Sequence, residues 1–214
     1  MRSAPGVARA DGPRIHPTAL VEDGVAIGAR TAIWDGVHLR GPSTIGRDCI
    51  IGEKTYVAYG VSIGDCVKIN AFVYVCTAVT IEHRVFIGAR VTFTNDRYPR
   101  AFADGHDGLA PSDPNEDTLA TVVRLGATIG AAATIGPGLE IGPYAMVGMA
   151  ALVVRDVPAH ALVIGAPARI HGWVCECGQP VARPGDGPAT RACRCGRRWA
   201  LVDDGPEARL ARRD

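Results

Sequence analysis

Aromatic residues make up only 6% of the 214 residues, and nowhere do 18 apolar residues follow one another without interruption. The chain therefore lacks the apolar run that a membrane-spanning helix needs. Its formal net charge is only +1, so no long-range field attracts nucleic acid or an anionic membrane surface. Residues 1–14 hold no apolar run that could serve as a signal sequence, and we expect a flexible N-terminus there. These absences predict a cytoplasmic protein that has neither nucleic acid nor a membrane as a partner.

Turn-forming residues, in contrast, are abundant, with 26 Gly and 15 Pro. An apolar residue also recurs at every sixth position, in two runs separated by an interruption. The two runs are Ile15, Val21, Ile27, Ile33, Leu39, Ile45, Ile51, Val57, Ile63, Ile69, Val75, Ile81, Ile87 and Phe93, and then Val123, Ile129, Ile135, Ile141, Val147 and Val153. A strict repeat of this length predicts a solenoid, in which each unit is one short structural element.

Each six-residue unit offers two residues to an interior. The second is small or β-branched and stands four positions after the apolar one, as at Thr31 and Val61. Gly often follows the apolar residue directly, as at Gly28 and Gly52, which predicts a turn with unusual backbone angles. Three such units close a triangle, and triangles stacked at roughly 4.8 Å pair their backbone groups with the coils above and below. The sequence therefore predicts an all-β fold, a parallel β-helix over residues 15–172 whose twenty units make nearly seven coils.

The six-residue step fails between Phe93 and Val123, where the sequence is polar and rich in Pro, Gly and Asp. This segment must leave the prism as an extruded loop over about residues 94–122. Loops of this length in compact domains are usually either functional or disordered. Tyr98, Pro99 and Phe102 supply apolar anchors at its start, which favours order. We therefore place the chemistry of the protein at this loop.

The repeat resembles that of the bacterial hexapeptide-repeat acyltransferases, whose coils wind left-handed. At the loop, FTNDRYPRA is similar to the signature of the nucleotide-sugar 3-N-acyltransferases, and TVVRLGATIGAAATI and RDVPAHALVIGAPARI match that family in order and spacing. The resemblance covers residues 15–174. It implies a left-handed parallel β-helix that acylates a 3-amino sugar carried on UDP or dTDP, with acetyl-CoA as the acyl donor. It also implies a homotrimer whose active sites lie at subunit interfaces.

The resemblance places Asn95 beside the sugar amine, where its side chain can accept a hydrogen bond and aim the nitrogen lone pair. An amine need only lose its ammonium proton, so a hydrogen-bonding side chain or a water relay can suffice. Asp96 is the candidate for drawing off that proton or for holding Asn95 in place. Arg97 and Arg100 are candidates for binding the diphosphate or a carboxylate on the sugar. The alternative is that Asp96 and Arg97 simply cap a turn.

Two further candidates for the substrate site are Tyr98 and His83. The chain also departs from the family at positions that matter for proton transfer. Several relatives carry Glu-Gly where this chain has Thr77 and Ala78, and some carry His where Leu139 stands. A mechanism that relies on either group is therefore excluded, and the route of the proton stays open.

Coenzyme A in the family lies in the groove between neighbouring prisms. The residues that match its path are Gly148, Ala150 and Ala166 for the pantetheine arm and Arg155 and Arg169 for the phosphates. The alternative is that both arginines are solvated surface charges. Ala132 and Ala166 replace asparagines of the family. The acyl donor can therefore sit differently from that of the relatives, or be another coenzyme A thioester.

The C-terminal segment carries two Cys-x-Cys pairs, Cys175 with Cys177 and Cys193 with Cys195, separated by fifteen residues. Four thiolates satisfy tetrahedral zinc, and a Gly directly after each pair lets the chain bend back toward the metal. We expect a zinc-ribbon-like module with a structural zinc ion over residues 173–202, followed by a disordered tail over residues 203–214. The alternatives are a flexible tail with reactive thiols and a redox pair.

Two other functions compete with amine acylation. An O-acyltransferase would acylate a hydroxyl group, but such relatives place a His on the extruded loop where this chain offers Asn95. An interaction protein would use the prism as a spacer and the zinc module to dock a partner, and it would bind no coenzyme A.

Overall fold

The computed structural model describes residues 11–102, 108–202 and 208–213. Most of the predicted flexible N-terminus, residues 1–10, therefore lies outside the described residues. All the regular structure in the described part of the chain is β-strand, which confirms the predicted all-β class. It follows that the described residues contain no helix able to cross a bilayer.

The strands form a three-sided parallel prism, and each side is one sheet. Face 1 contains β1 (Arg14–Ile15), β4 (Ala32–Ile33), β7 (Ile50–Ile51), β10 (Lys68–Ile69), β13 (Phe86–Ile87), β16 (Thr128–Ile129), β19 (Met146–Val147) and β21 (Ala161–Ile164). Face 2 contains β2 (Leu20–Val21), β5 (His38–Leu39), β8 (Tyr56–Val57), β11 (Tyr74–Val75), β14 (Thr92–Phe93), β17 (Thr134–Ile135) and β20 (Leu152–Val153). Face 3 contains β3 (Val25–Ile27), β6 (Ser43–Ile45), β9 (Ser62–Ile63), β12 (Val79–Ile81), β15 (Thr121–Val123) and β18 (Glu140–Ile141). This solenoid confirms the predicted β-helix and agrees with left-handed winding.

The pairing register shows how regular the coils are. Ile69 pairs with Ile87, an offset of 18 residues, which is three units of six. Across the interruption Ile87 pairs with Ile129, an offset of 42, so the loop adds 24 residues without shifting the register. In the last coil Val147 pairs with Val163, an offset of only 16. The repeat therefore ends with a shortened coil.

The predicted interior is confirmed. From Ile33 to Val153, the apolar residue of every unit is buried, and so are the small or β-branched residues four positions later, such as Val37 and Val61. Ile15, in the first coil, is 45% exposed, because no other coil among the described residues covers that end. Cys49 occupies one of the small interior positions, and its thiol donates to the carbonyl oxygen of Gly64 at 3.1 Å.

The expectation that Gly after the apolar residue supplies unusual backbone angles is wrong. Positive φ occurs two residues later in the unit, as at Arg30 (58°) and Lys54 (57°). Gly is needed after the apolar residue because the coils stack closely there. A Cβ atom on Gly52 would lie 2.6 Å from the backbone carbon of Asn70 in the next coil.

Beyond the prism the chain becomes antiparallel. Strand β22 (Arg169–Val174) pairs with β21 of face 1 and with β23 (Pro180–Ala182), and β24 (Arg191–Ala192), β25 (Arg198–Val202) and β26 (Arg209–Arg213) form a separate sheet. Because β22 runs without a break across residue 172, the predicted boundary between prism and module falls inside a strand. The predicted disorder of residues 203–214 is wrong for Arg209–Arg213, which pair with β25 along its whole length. Residues 203–207 and 214 lie outside the described residues.

Candidate functional site

The extruded loop leaves the prism at the edge between faces 2 and 3, after β14, and returns into β15. Its two ends pair with each other in antiparallel fashion. The N–H of Leu119 donates to the carbonyl of Asn95 at 2.7 Å, and the N–H of Arg97 donates to the carbonyl of Asp117 at 3.1 Å. The base of the loop is therefore a short two-stranded ribbon that holds Asn95 next to the prism.

Within this loop lies a cleft of about 200 Å³. Four predicted site residues line it together, namely Asn95, Asp96, Tyr98 and Arg100. Thr77 from the prism edge lines the same cleft, whereas Arg97 does not. Asn95 is half-buried, while Tyr98 is 69% exposed and Phe102 43% exposed, so the expected anchoring of the loop by these two rings is wrong for the single chain.

Asp96 already has a partner in the second leg of the loop. The hydroxyl of Thr118 donates to Asp96 Oδ1 at 3.1 Å and accepts from the N–H of Asn115 at the same distance. Asn115 Oδ1 in turn accepts from the N–H of Asp117 at 2.8 Å. Asp96 therefore joins the two legs of the loop, which fits the holding role better than a free base.

The prism floor of the cleft provides no nucleophile. The hydroxyl of Thr77 is already engaged, because it donates to the carbonyl of Tyr59 at 2.6 Å. Cys76, next to it, is buried, and this burial raises the pKa of its thiol to about 12. A thiol with that pKa is protonated and unreactive at neutral pH. The cleft is therefore suited to binding and orienting an acceptor that brings its own nucleophile.

The structure does not bring His83 to this cleft. His83 lies at the edge between faces 3 and 1, where its Nδ1 accepts from the N–H of Asp65 at 2.8 Å. It lines a different cleft of about 440 Å³ with Arg47, Asp65 and Arg84. A role for His83 in substrate binding would therefore need a neighbouring subunit.

The two arginines predicted for the coenzyme A phosphates do come together. Arg155 and Arg169 line one cleft of about 390 Å³ at the C-terminal end of the prism, among apolar residues that include Val154 and Ile170. Asp156 also lines it, but its carboxylate accepts from the N–H of Glu140 at 2.8 Å. Two guanidinium groups beside an apolar surface suit an aromatic base that carries phosphates.

One end of the Arg155–Arg169 cleft lies on the same prism edge as the loop cleft, whereas Arg169, which pairs with Ile164, lies toward the edge between faces 1 and 2. Phe93 of β14 pairs with Ile135 of β17, which pairs with Val153 of β20. The chain leaves β14 toward Asn95 and leaves β20 toward Arg155, so these exits lie two coils apart, roughly 10 Å along the axis.

The residues predicted for the pantetheine arm lie elsewhere. Gly148, Ala150 and Ala166 are at the edge between faces 1 and 2, where the chain leaves β19 and β21. The backbone N–H of Ala150 is already used by the carbonyl of Ala131 at 2.8 Å. Ala166 lies in the turn between β21 and β22, close to Arg169, whereas Arg155 lies on the edge between faces 2 and 3.

The four C-terminal cysteines converge as predicted. Their Sγ atoms all lie within 4.8 Å of one another, and Cys175–Cys195 and Cys177–Cys193 approach to 3.5 Å. Zn–S bonds of about 2.3 Å in a tetrahedron require sulfur separations of this size. Gly178 and Gly196 after the pairs have φ of 83° and 90°, which confirms that they turn the chain.

Two of the sulfurs accept hydrogen bonds from neighbouring side chains. Trp199 Nε1 donates to Cys175 Sγ at 3.2 Å, and Arg197 donates to Cys195 Sγ at 3.3 Å. The backbone N–H of Arg197, followed by its guanidinium group, lowers the pKa of Cys195 to about 6. The described residues thus fit a tetrahedral thiophilic cation.

Sequence reasoning missed the second leg of the loop, including Asp113, Asn115 and Thr118, which forms one wall of the cleft. A signal was present, because a loop that returns to the next coil must bring its second half back beside the first. It also missed the contact between Trp199 and His160, whose ring centroids are 4.8 Å apart. No sequence pattern predicts that contact.

Repeat and fold together define a hexapeptide-repeat β-helix protein with a loop cleft on one prism edge. Residues 24–59 match the family described as "Bacterial transferase hexapeptide (six repeats)". The chain is 39% identical, over 57 residues, to dTDP-3-amino-3,6-dideoxy-alpha-D-galactopyranose 3-N-acetyltransferase of Aneurinibacillus thermoaerophilus. That match spans 27% of this chain and 30% of the length of that enzyme.

Solved structures with a similar fold include a mutant GDP-perosamine N-acetyltransferase from Caulobacter crescentus with CoA and GDP-perosamine. It is 24% identical with a TM-score of 0.47, and the match covers 75% of this chain and 57% of that one. Another is a mutant of AntD, an N-acyltransferase from Bacillus cereus, with dTDP and coenzyme A. It is 22% identical with a TM-score of 0.46, and the match covers 77% of this chain and 83% of that one.

Proposed function

We propose that the protein is an N-acyltransferase, which transfers the acetyl group of acetyl-CoA to the amino group of a nucleotide-linked 3-amino sugar. The observation that carries this proposal is that the loop cleft and one end of the Arg155–Arg169 cleft lie on the same prism edge. The loop cleft is polar and contains Asn95, and the second cleft contains Arg155 and Arg169. The resemblance of the loop sequence to 3-N-acyltransferases supports the assignment, as does the partial match to a 3-N-acetyltransferase.

In the proposed reaction the neutral amine attacks the thioester carbonyl. A C–N bond forms, the C–S bond of the tetrahedral intermediate breaks, and the amine proton passes to the departing coenzyme A sulfur, directly or through water. Asn95 accepts a hydrogen bond from the amine and fixes its approach to the thioester. A fixed approach speeds the reaction, because the bound reactants need not lose translational and rotational freedom in the transition state. Asp96 holds the loop that carries Asn95, through its contact with Thr118.

The remaining predicted residues belong to binding. We assign Arg100 and Tyr98, which line the loop cleft, to the acceptor, and Arg97 to its phosphates when they extend beyond the cleft. Arg155 and Arg169 bind the phosphates of coenzyme A. Gly148, Ala150 and Ala166 lie on the edge between faces 1 and 2, away from Asn95 and Arg155, so we assign the pantetheine arm to a groove that two subunits form together.

A homotrimer supplies such a groove, and His83 reaches a loop cleft only in such an assembly. Exposed apolar side chains support self-association around faces 1 and 2. They are Ile50, Phe72, Tyr74, Met149 and Leu152. Side-by-side packing of flat prism faces would cover this surface around a threefold axis. Light scattering of the purified protein should give three times the mass of the chain.

We further propose that the four cysteines bind one structural zinc ion through Cys175, Cys177, Cys193 and Cys195. All seven cysteines are free, which agrees with a reducing compartment such as the cytoplasm. The metal would supply the module with the stability that a segment of this size cannot obtain from an apolar core alone.

The direct test is to incubate the protein with acetyl-CoA and a panel of UDP- and dTDP-linked 3-amino sugars. Release of free thiol and a product heavier by one acetyl group on nitrogen support the proposal. Acylation of a hydroxyl instead would favour an O-acyltransferase. If acetyl-CoA neither raises the melting temperature nor reacts, the interaction-protein alternative replaces the enzyme.

A further inference from the structure

Strand β22 links the proposed donor cleft directly to the four cysteines. It begins at Arg169, which lines that cleft, and ends at Val174, immediately before Cys175. One of its edges pairs with β21, the last strand of face 1, and the other pairs with β23 of the C-terminal module. A shift of β22 would therefore move Arg169 and the cysteine site together.

An aromatic stack joins the same two regions by a second route. The ring of His160 stacks on Tyr144 of the preceding coil, with centroids 5.3 Å apart, and lies 4.8 Å from Trp199 of β25. Trp199 then donates its indole N–H to Cys175 Sγ. The sulfur that a metal would hold is thus connected through two rings to the body of the prism.

His160 also fixes the end of β22. Its Nδ1 lies 3.0 Å from the carbonyl of Val174, and its own carbonyl accepts from the N–H of Val174 at 2.8 Å. Because a carbonyl can only accept, Nδ1 carries the proton. Burial lowers the pKa of His160, so the neutral ring with this tautomer persists at neutral pH. The backbone next to Cys175 is held on both sides.

The module also shares its apolar core with the prism. Trp173, Cys175 and Trp199 are each at most 3% exposed and belong to the same buried cluster as Val157 and Val163 of the last coil. Val157 and Val163 line the donor cleft. The module and one wall of the cleft therefore belong to one continuous apolar core.

We propose that the four-cysteine site controls coenzyme A affinity, with His160 and Trp199 as the positioning residues that transmit its state to the Arg155–Arg169 cleft. Metal loading orders Cys175, which fixes β22 and holds Arg169 where it can bind a phosphate of coenzyme A. This inference rests on the proposed function, since it assumes that this cleft receives the nucleotide end of the acyl donor.

The test compares zinc-loaded protein with protein stripped by a chelator, using calorimetric titration with coenzyme A and with dephospho-coenzyme A. Stripping should weaken coenzyme A binding about ten- to hundredfold, the range expected for losing a charge-assisted contact. Dephospho-coenzyme A, which lacks one phosphate, should lose less. Added zinc should restore both affinities, and hydrogen exchange should show that amides of β22 lose protection in the stripped protein.

If the stripped protein unfolds, the Trp199→Phe variant tests the same inference without removing the metal. The variant keeps an aromatic ring beside His160 but lacks the N–H that reaches Cys175 Sγ. It should keep its zinc, raise the KM for acetyl-CoA several-fold and leave kcat near the wild-type value. Cys66→Ser, an exposed thiol outside the module, is the control and should change neither zinc content nor KM.

The possible negative results distinguish this inference from the acyltransferase proposal. If zinc-loaded protein binds coenzyme A and stripping leaves the Kd unchanged, this inference is wrong and the acyltransferase proposal stands. An unchanged KM in Trp199→Phe also counts against the inference alone. If zinc-loaded protein binds neither form of coenzyme A, both proposals fall.

Discussion

Thr118 donates its hydroxyl hydrogen to the carboxylate of Asp96 across the base of the extruded loop, at 3.1 Å. The two residues are 22 positions apart, and their bridge closes the ribbon that carries Asn95. Asp96 therefore holds the two legs of the loop together. A substitution of Asp96 should affect acylation because it changes the position of Asn95.

Asp96→Asn should retain most of the activity, because the amide oxygen can still accept from Thr118. Asp96→Ala and Thr118→Val should each lower kcat/KM by about tenfold, and the double variant should be no worse than either single one. The kcat/KM pH profile of Asp96→Asn should match the wild type. A lost acidic limb in that profile, where kcat/KM rises as a general base loses its proton, would show instead that Asp96 takes the proton.

Asn95→Ala should lower kcat/KM by about 100-fold, because the amine loses the group that aims it at the thioester. The KM for acetyl-CoA should stay the same, since the donor cleft lies two coils away. Thr44→Ala, at an exposed position of face 3, is the control. Unchanged turnover in Asn95→Ala would remove this residue from the mechanism.

Gly52→Ala should destabilise the prism by about 1–3 kcal/mol, because the added methyl group meets backbone atoms of the next coil and cannot rotate away. Gly12→Ala serves as the control, since nothing lies within 4 Å of a Cβ atom there. Urea unfolding of both variants measures the difference. Equal midpoints would contradict the close-stacking explanation of the repeat glycines.

Glu140→Gln should cost about 0.5 kcal/mol near neutral pH, a small value because the ion pair is partly exposed. Arg124 joins Glu140 (2.6 Å) and Glu82 (2.9 Å), and its hydrogen bond lowers the pKa of Glu140 below 4.5. This contribution is complete above pH 4.5 and disappears as the pH falls through the lowered pKa. Urea unfolding at several pH values should show variant and wild type converging in acid. If the difference in the free energy of unfolding grew in acid instead, folding would raise the pKa of Glu140 and this explanation would be wrong.

Cys177→Ser should reduce bound zinc from about one equivalent to a small fraction, because three thiolates no longer complete the tetrahedron. The sheet of β24, β25 and β26 should then lose amide protection, whereas the coils from β4 to β19 keep theirs. Metal analysis and hydrogen exchange provide the two readouts, with Cys66→Ser as the control. Full protection of the sheet in metal-free protein would show that the module folds without zinc.

The predictable part of this protein is the part built from local repeats. Each unit supplies its own interior pair and turn, so the step from Ile15 to Phe93 predicts the coils without knowledge of distant contacts. The failure of that step after Phe93 also located the loop, and the spacing of the cysteines predicted that they converge.

Contacts between distant segments could not be read in this way. The sequence showed that Gly recurs at Gly52, but only the stacked coils showed that the reason is a close approach to Asn70. The folded coils also place Asn95, His83 and Gly148 on three different edges of the prism. Neither His83 nor Gly148 therefore reaches the loop cleft within one chain.

The sequence by itself determined the prism, the existence of the loop and the four-cysteine site, because all three follow from spacing along the chain. Only the tertiary structure decided that Thr118 holds Asp96, that β26 extends the C-terminal sheet, and that Trp199 connects Cys175 to His160. These contacts join residues whose separation follows no repeat, so their geometry appears only once the chain is folded.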